Sequence, residues 1–211
     1  MIQGDENWKA IRLGKVTASR VFDVVARTKS GPAASRANLM AALVAERLTG
    51  TSQDSYSNTA MQWGTDTEPL ARAAYEFHTD TDVALIAFVD HPSITMSGCS
   101  PDGLVGQDGL VEFKCPSVAT HISTLMGAEI DGKYVKQMQW QMRCCERAWC
   151  DFASFDPRLP PEMQLHVRRV KRDDAMIAEL EREVRAFLEE VSATVEKLRK
   201  LYQSGQMEAA E

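Results

Sequence analysis

The fold of this chain is decided by Ser97-Gly98-Cys99-Ser100-Pro101-Asp102-Gly103 and, soon after, Leu110-Val111-Glu112-Phe113-Lys114-Cys115-Pro116. The core of this stretch is Pro-Asp, then nine residues, then Glu-x-Lys. Asp-Gly dipeptides at 102–103 and 108–109 alternate with short apolar runs, which predicts a β-hairpin with turns at both dipeptides. Glu112 and Lys114 stand two residues apart, so we expect both side chains on one face of the second strand. Val111 and Phe113 then point into a core.

The hairpin also brings a second carboxylate toward that face, because Asp102 at its start can meet Glu112 across it. Two carboxylates so close repel each other unless a cation lies between them. Mg²⁺ binds through one or two carboxylates, waters and substrate phosphate oxygens. Lys114 could then orient or deprotonate a metal-bound water, or stabilise charge that develops on phosphorus. The pattern predicts a metal-dependent phosphodiesterase site; the alternative is a solvated hairpin with an exposed Glu-Lys pair.

Composition places the chain in the ordinary class of globular proteins. It has 211 residues, of which 44% are hydrophobic and 26% are charged, which suits one domain over residues 1–211. We find no apolar run of the ~20 residues that a membrane span needs, and the first residues are polar and acidic rather than typical of a secretory signal. We therefore expect a cytoplasmic enzyme with no membrane partner.

Charge and metal-ligand residues exclude some classes of function. The net charge of −6 disfavours a protein that simply coats DNA, but it does not exclude a nuclease. The four histidines are scattered, which disfavours a histidine-ligated zinc site. The five cysteines form no CxxC pair and show no spacing for an iron–sulfur cluster, so we expect them to be reduced and mostly buried.

Residues 7–27 offer a candidate phosphate site. Gly14 interrupts the first helical turns, and Thr17 or Ser19 can cap the helix that follows. A helix N-terminus with hydroxyl groups beside cations is a natural receptor for phosphate. The cations available here are Arg12, Lys15 and Arg20. The alternative is an ordinary capped helix with cations on its surface.

A further carboxylate, Glu68, precedes Pro69, which fits the first turn of a helix. We therefore expect Glu68 at or just before a helix start. There it could interact with the helix dipole or point toward a metal ion, and these residues alone leave both interpretations open.

Apolar spacing predicts the remaining elements. We expect helices over 37–48, 117–126 and 133–148, strands over 83–89, 94–98, 149–155 and 163–170, and one amphipathic helix over 173–202 that packs on the sheet or on a neighbouring subunit. Polar loops are expected over 28–36 and 51–59, and a frayed tail over 203–211. In the helix over 133–148, Gln137 lies beside the apolar stripe, whereas Gln139 and Gln141 are expected to be ordinary helix residues.

Three stretches together resemble the phage-type alkaline exonucleases, the family of lambda exonuclease and the YqaJ-like viral recombinases in the PD-(D/E)xK superfamily. The stretches are 8–19 (Trp-Lys-Ala-Ile-Arg-Leu-Gly-Lys-Val-Thr-Ala-Ser), 63–68 (Trp-Gly-Thr-Asp-Thr-Glu), and 99–116 followed by 134–139 (Tyr-Val-Lys-Gln-Met-Gln). Their order and spacing are similar over roughly residues 7–170. The resemblance implies an α/β, restriction-endonuclease-like core, in which helices flank a central mixed sheet, with the long C-terminal helix added.

The resemblance also assigns roles to residues. It implies that Asp102 and Glu112 ligate Mg²⁺, or Mn²⁺ in its place, with two ions per active site and help from the Phe113 carbonyl. Lys114 would act on the nucleophilic water, Glu68 would be a helix-borne site carboxylate, and Gln137 would contact the lysine or the water. The residues that resemble the pocket for a 5′-terminal phosphate are Arg12, Thr17, Ser19 and Ser100.

For the whole protein, the resemblance implies a 5′→3′ exonuclease that digests one strand of linear duplex DNA. It implies a ring-shaped homotrimer around the duplex, a 5′-phosphorylated end as substrate, and a single-strand annealing protein as partner in recombination. Two alternatives remain open: an endonuclease on the same core, and a catalytically inactive DNA-binding scaffold. The loops over 28–36 and 51–59 and the C-terminal helix depart from the lambda pattern, which leaves duplex entry and partner docking open.

Overall fold

The computed structural model describes residues 3–53 and 59–208, with side chains described as far as residue 202. Its helices are α1 (Glu6–Arg12), α2 (Val21–Val25), α3 (Ala34–Thr49), α4 (Thr59–Thr79), α5 (Val118–Leu125), α6 (Gly132–Cys144) and α7 (Asp174–Glu208). Its strands are β1 (Val16–Thr17), β2 (Arg27–Thr28), β3 (Gly31–Pro32), β4 (Val83–Ala84), β5 (Val89–Asp90), β6 (Ser97–Cys99), β7 (Gly103–Val105), β8 (Gly109–Lys114), β9 (Trp149–Phe155) and β10 (Leu165–Lys171).

The central sheet has five strands in the order β10-β9-β8-β7-β4. Strands β8 and β9 run parallel, whereas the other neighbours are antiparallel, so the sheet is mixed as predicted. A smaller sheet, β1-β6-β5, leads into it, because β6 ends three residues before Asp102. The predicted α/β core with a mixed sheet and flanking helices is confirmed.

The decisive hairpin forms between β7 and β8, with Gly103 opposite Val111. Its turn lies at 106–108 and so includes Asp108 of the second Asp-Gly, and Gly106 has a φ of +54°. The first Asp-Gly is not a turn: Gly103 already belongs to β7, where a Cβ atom would collide with the side chain of Val83. Glycine is needed there for close packing rather than for turn geometry.

Helices cover both faces of the sheet. Val111 and Phe113 pack with Ala71 and Tyr75 of α4 on one face, as predicted for the inward side of β8. On the other face α6 supplies Met138 and Met142. A further cluster joins α2, α3, α6 and α7 around Trp140, Val184 and Phe187. The long helix α7 therefore packs on other helices, so the expectation that it packs on the sheet is wrong, whereas packing on a neighbouring subunit stays a prediction.

Several predicted boundaries are also wrong. The single strand expected over 83–89 is divided between β4 and β5, which lie in different sheets, and Leu85 between them is 63% exposed. Helix α7 continues past Tyr202 to Glu208, where a frayed tail was expected, and residues 209–211 of that tail lie outside the described residues. Most of the loop expected over 51–59 also lies outside them. In the described ranges we find no helix that is both long and apolar enough to span a membrane.

Candidate active site

The centre of the candidate site is Glu112 on β8. The side chain of Glu112 is 1% exposed, and the ammonium group of Lys114 donates to its Oε1 atom, so the two side chains share one face as predicted. Asp102 lies just before β7, and its Oδ2 atom accepts a hydrogen bond from the backbone N–H of Phe113 at 2.7 Å. The hairpin thus brings the carboxylates of Asp102 and Glu112 and the cation of Lys114 together.

The ionisable groups of this centre strongly influence one another. Burial, followed by the charge of Glu112, raises the pKa of Asp102 well above its usual range. Burial lowers the pKa of Lys114, but the carboxylates of Glu112 and Asp102 more than offset this effect, and the pKa lies above its ordinary value. Lys114 is therefore held as a cation, which suits charge stabilisation and hydrogen-bond donation better than proton abstraction.

Glu68 lies in the same cavity, although its position in the helix differs from the prediction. Helix α4 already begins at Thr59 and includes Pro69, so Glu68 occupies the middle of a helix rather than its start. The interpretation of Glu68 as a partner of the helix dipole is therefore wrong. Burial raises the pKa of Glu68, and the charge of Glu112 raises it further. Glu68 is thus electrostatically linked to the carboxylates on the sheet.

The cavity has a volume of about 1110 Å³ and is also lined by cationic and aromatic side chains. Arg158 lies over the ring of Trp63 at 4.5 Å, and Lys133 lies over the ring of Tyr134 at 4.7 Å. Sequence reasoning did not identify Arg158 or Lys133 as site residues. Nothing in the spacing of the sequence indicates that Arg158, in a proline-rich turn after β9, reaches the cavity of α4 and β8.

Two glutamines of α6 donate to Glu112. The Nε2 atom of Gln137 lies 2.6 Å from Oε1, and the Nε2 atom of Gln141 lies 2.6 Å from Oε2. The predicted proximity of Gln137 to the site is therefore observed, but the expectation that Gln141 is an ordinary helix residue is wrong. Residues four apart lie on one face of a helix, so the pair Gln137 and Gln141 was a signal that could have revealed the second contact.

The candidate phosphate residues lie at a second cavity, of about 400 Å³, that is lined by Arg12, Thr17 and Ser19. The Nη1 atom of Arg12 donates to Oγ of Ser100 at 3.0 Å, which connects Ser100 to this group. The predicted caps do not form: Thr17 belongs to β1, and neither the 3₁₀ turn Ala18–Arg20 nor α2 has a side-chain cap bond. The hydroxyls of Thr17 and Ser19 lie 3.4 Å apart instead.

The donor set of the main cavity fits a divalent cation of the magnesium type. Asp102, which is half-buried, and Glu112, which is buried, provide oxygen ligands, and burial followed by the charge of Glu112 raises the pKa of Asp102. Among residues 3–53 and 59–208, no cluster of three or more Asp, Glu, His or Cys side chains is arranged to hold a metal ion. A metal here would thus use these two carboxylates together with backbone, water and substrate oxygens, which is usual for Mg²⁺.

Comparisons with known proteins identify the family and the fold of this chain. Residues 7–148 match the family model described as the YqaJ-like viral recombinase domain. The alkaline exonuclease LHK-Exo from Laribacter hongkongensis is 52% identical, with 95% of this chain and 99% of that chain covered and a TM-score of 0.88. The structure of LHK-Exo in complex with dAMP has a TM-score of 0.89 at the same identity and coverage.

A phage-related exonuclease from Haemophilus somnus 129PT shares the fold, with a TM-score of 0.69 at 14% identity over 87% of this chain and 96% of that one. Among curated proteins, no sequence matches the chain. The family model covers well over half of the chain, and the resemblance seen in the sequence is confirmed. This chain belongs to the family of YqaJ-like viral recombinase domains and has the fold of the alkaline exonucleases.

Proposed function

We propose that this protein is a Mg²⁺-dependent exonuclease that digests one strand of linear double-stranded DNA from its 5′ end. The observation that carries the proposal is the meeting of two carboxylates with one cation: Asp102 and Lys114 line one cavity, and Lys114 donates to the buried carboxylate of Glu112. Arg12 in turn donates to Ser100, two residues before Asp102. LHK-Exo, at 52% identity, was crystallised with dAMP. A deoxynucleoside 5′-monophosphate is the product that this activity would release here.

The reaction proposed is an in-line hydrolysis. Water attacks the phosphorus atom of the second nucleotide, and the bond from phosphorus to the 3′ oxygen of the terminal nucleotide breaks. The 3′ oxygen takes up a proton, the terminal nucleotide leaves with its own 5′-phosphate, and the shortened strand has a new 5′-phosphate. Each cycle therefore regenerates the kind of end that the cavity of Arg12, Thr17 and Ser19 would bind.

Each residue of the site would have its own role in this reaction. Asp102 and Glu112 would hold Mg²⁺ or Mn²⁺, with the Phe113 carbonyl as a further ligand, and the bound cation would supply charge neutralisation and a more acidic water. Lys114, held as a cation, would donate to the attacking water or to the phosphoryl oxygens and stabilise their growing charge. Gln137 would keep Glu112 and the water oriented. Lys133 and Arg158 would contact phosphates along the cavity.

Assembly and partners are part of the same proposal. A homotrimeric ring would keep the enzyme on its duplex, and a single-strand annealing protein would load on the 3′ strand that digestion exposes. Both expectations follow from the resemblance to phage-type exonucleases rather than from contacts within one chain. The place of action would be the cytoplasm of a bacterial or phage-infected cell.

The experiment that tests the activity uses linear duplex DNA with 5′-phosphates, labelled separately at each end, beside a closed circular duplex. We expect Mg²⁺-dependent release of mononucleotides from 5′ ends, no cutting of the circle, and loss of hydrolysis by a factor of about 10² or more in Lys114→Ala. Circular dichroism would check that this variant remains folded. Cutting of the circle would instead support an endonuclease, and a wild type without any hydrolysis would support an inactive DNA-binding scaffold.

A further inference from the structure

We infer that Gln141 is a positioning residue that fixes the orientation of the Glu112 carboxylate and so determines how that carboxylate meets a divalent cation. This inference rests on the proposed metal-dependent nuclease function. It concerns a glutamine that lies one helical turn beyond Gln137 and contacts the opposite oxygen of the same carboxylate.

The contacts of Glu112 are distributed over both of its oxygens. Lys114 and Gln137 donate to Oε1, whereas Gln141 donates to Oε2 at 2.6 Å. Gln141 is 0% exposed and Glu112 is 1% exposed, so the hydrogen bond between these two side chains is shielded from solvent. Since the donors engage both oxygens, the carboxylate cannot rotate without losing at least one hydrogen bond. Without Gln141, Oε2 would keep no side-chain donor among those that the described residues supply.

A count of acceptor sites shows what remains for a metal ion. An ionised carboxylate offers about four lone-pair positions, two on each oxygen. Two donors fill Oε1, and Gln141 takes one position on Oε2. The remaining position lies on Oε2, the oxygen that Gln141 orients. Glu112 would thus bind a cation through this one oxygen, with a direction set by Gln141.

The other end of the Gln141 amide supports a role beyond packing. Its Oε1 atom is buried and has no hydrogen-bond partner among the residues that the structure describes. An unpaired buried carbonyl is unfavourable, and an apolar side chain of similar size would avoid that cost. Gln139, two residues earlier, differs in this respect. Its Nε2 donates to the carbonyl of Lys171, and its Oε1 accepts from the N–H of Asp173.

The test compares Gln141→Met with Gln139→Met in the full-length chain. Methionine keeps the approximate volume of glutamine and removes its hydrogen bonds, so each variant loses one buried amide from the same helix. The readout is the dissociation constant of Mn²⁺ without DNA, measured by titration calorimetry and by the Mn²⁺ electron paramagnetic resonance signal. We expect about 10- to 100-fold weaker Mn²⁺ binding in Gln141→Met, and binding within twofold of wild type in Gln139→Met.

A second readout separates positioning from general damage. The Mg²⁺ concentration that gives half-maximal DNA hydrolysis should rise in Gln141→Met, and hydrolysis should recover at high Mg²⁺. Wild-type Mn²⁺ affinity in a folded Gln141→Met would overturn the inference. So would loss of the fold in both Gln141→Met and Gln141→Leu, because Gln141 would then be a structural residue. A wild type that binds Mn²⁺ but does not hydrolyse DNA would contradict the proposed function and leave the Mn²⁺ comparison valid.

Discussion

The guanidinium of Arg12 donates to the hydroxyl of Ser100 at 3.0 Å, and Ser100 lies two residues before Asp102. The indole N–H of Trp8 donates to the same hydroxyl at 2.9 Å, and the Arg12 guanidinium lies 4.0 Å from the centre of the Trp8 ring. The start of the chain is thereby attached to the segment that carries the first site carboxylate. A phosphate bound at Arg12 would consequently be held at a fixed offset from Asp102.

This relationship leads to a prediction about the 5′ end. Arg12→Ala should reduce the preference for 5′-phosphorylated over 5′-hydroxyl duplex ends by about 10- to 100-fold, because a charge-assisted hydrogen bond to the terminal phosphate is lost. The measurement is kcat/KM on both kinds of end. Arg27→Ala is the control, since Arg27 is exposed and pairs with Glu183 away from the cavity. A preference that survives unchanged in Arg12→Ala would remove the phosphate assignment.

Replacement of Glu68 should raise the stability of the metal-free protein and lower its rate of DNA hydrolysis. In the metal-free protein, Glu68→Gln should unfold at a higher temperature, because it removes a half-buried charge that partial burial and the carboxylate of Glu112 both disfavour. The same variant should hydrolyse DNA about 10- to 100-fold more slowly, as expected when a residue that supports a metal site is changed. Thermal unfolding and a single-turnover assay measure the two effects.

Glu76→Gln provides the matched control on the same helix. The Oε1 atom of Glu76 accepts from the N–H of Val83 at 2.9 Å, a contact that glutamine can keep. We expect this variant to retain wild-type hydrolysis. If Glu68→Gln also retained the full rate of hydrolysis, Glu68 would line the cavity without a role in the reaction.

The strand that carries the site was predictable because the alternation of residues in its sequence matches the two faces of the sheet. Alternation along β8 placed Glu112 and Lys114 on one face and Val111 and Phe113 on the other, and the structure has the same arrangement. Because side chains alternate between the two faces of a strand, the charged residues Glu112 and Lys114 must share one face and the apolar residues Val111 and Phe113 the other.

The wrong predictions concern the start of α4 and the partner of Gln141, which neighbouring residues in the sequence do not determine. Pro69 fits the first turn of a helix, yet α4 begins ten residues earlier, at Thr59, and includes Pro69 in its interior. Gln141 resembled an ordinary helix residue because its partner, Glu112, is 29 residues away in the sequence. Only the packing of α6 against the sheet brings these two side chains together.

The oligomeric state is a separate prediction. Light scattering or native mass spectrometry should give three times the chain mass of 23.5 kDa. The reason is the resemblance to ring-forming exonucleases, in which a closed ring retains duplex DNA between catalytic cycles. Dilution of the protein below the assembly concentration should lower processivity on long linear DNA. A monomeric mass at micromolar concentration would contradict the ring.

Stability should decrease in mild acid because of one buried histidine. His91 is 4% exposed, and its Nδ1 atom accepts a hydrogen bond from the N–H of Ser93 at 3.2 Å. Protonation at Nδ1 would break this bond at a buried position. Burial, only partly offset by the carboxylate of Glu181, lowers the pKa of His91 to about 4. The unfolded chain regains the ordinary pKa near 6.5.

The sign of the effect follows from proton uptake. Between about pH 6.5 and pH 4 the unfolded state binds a proton at His91 that the folded state does not bind, so the free energy of unfolding falls as the pH falls. From pH 7 to pH 5 this histidine should account for a loss of about 2 kcal/mol. In His91→Asn, whose side-chain oxygen can still accept from Ser93, urea unfolding should depend less on pH by that amount. The control is His78→Asn, at an exposed position of α4, which should keep the wild-type dependence of stability on pH. If wild type and His91→Asn lost stability equally as the pH falls, His91 would not titrate in this range.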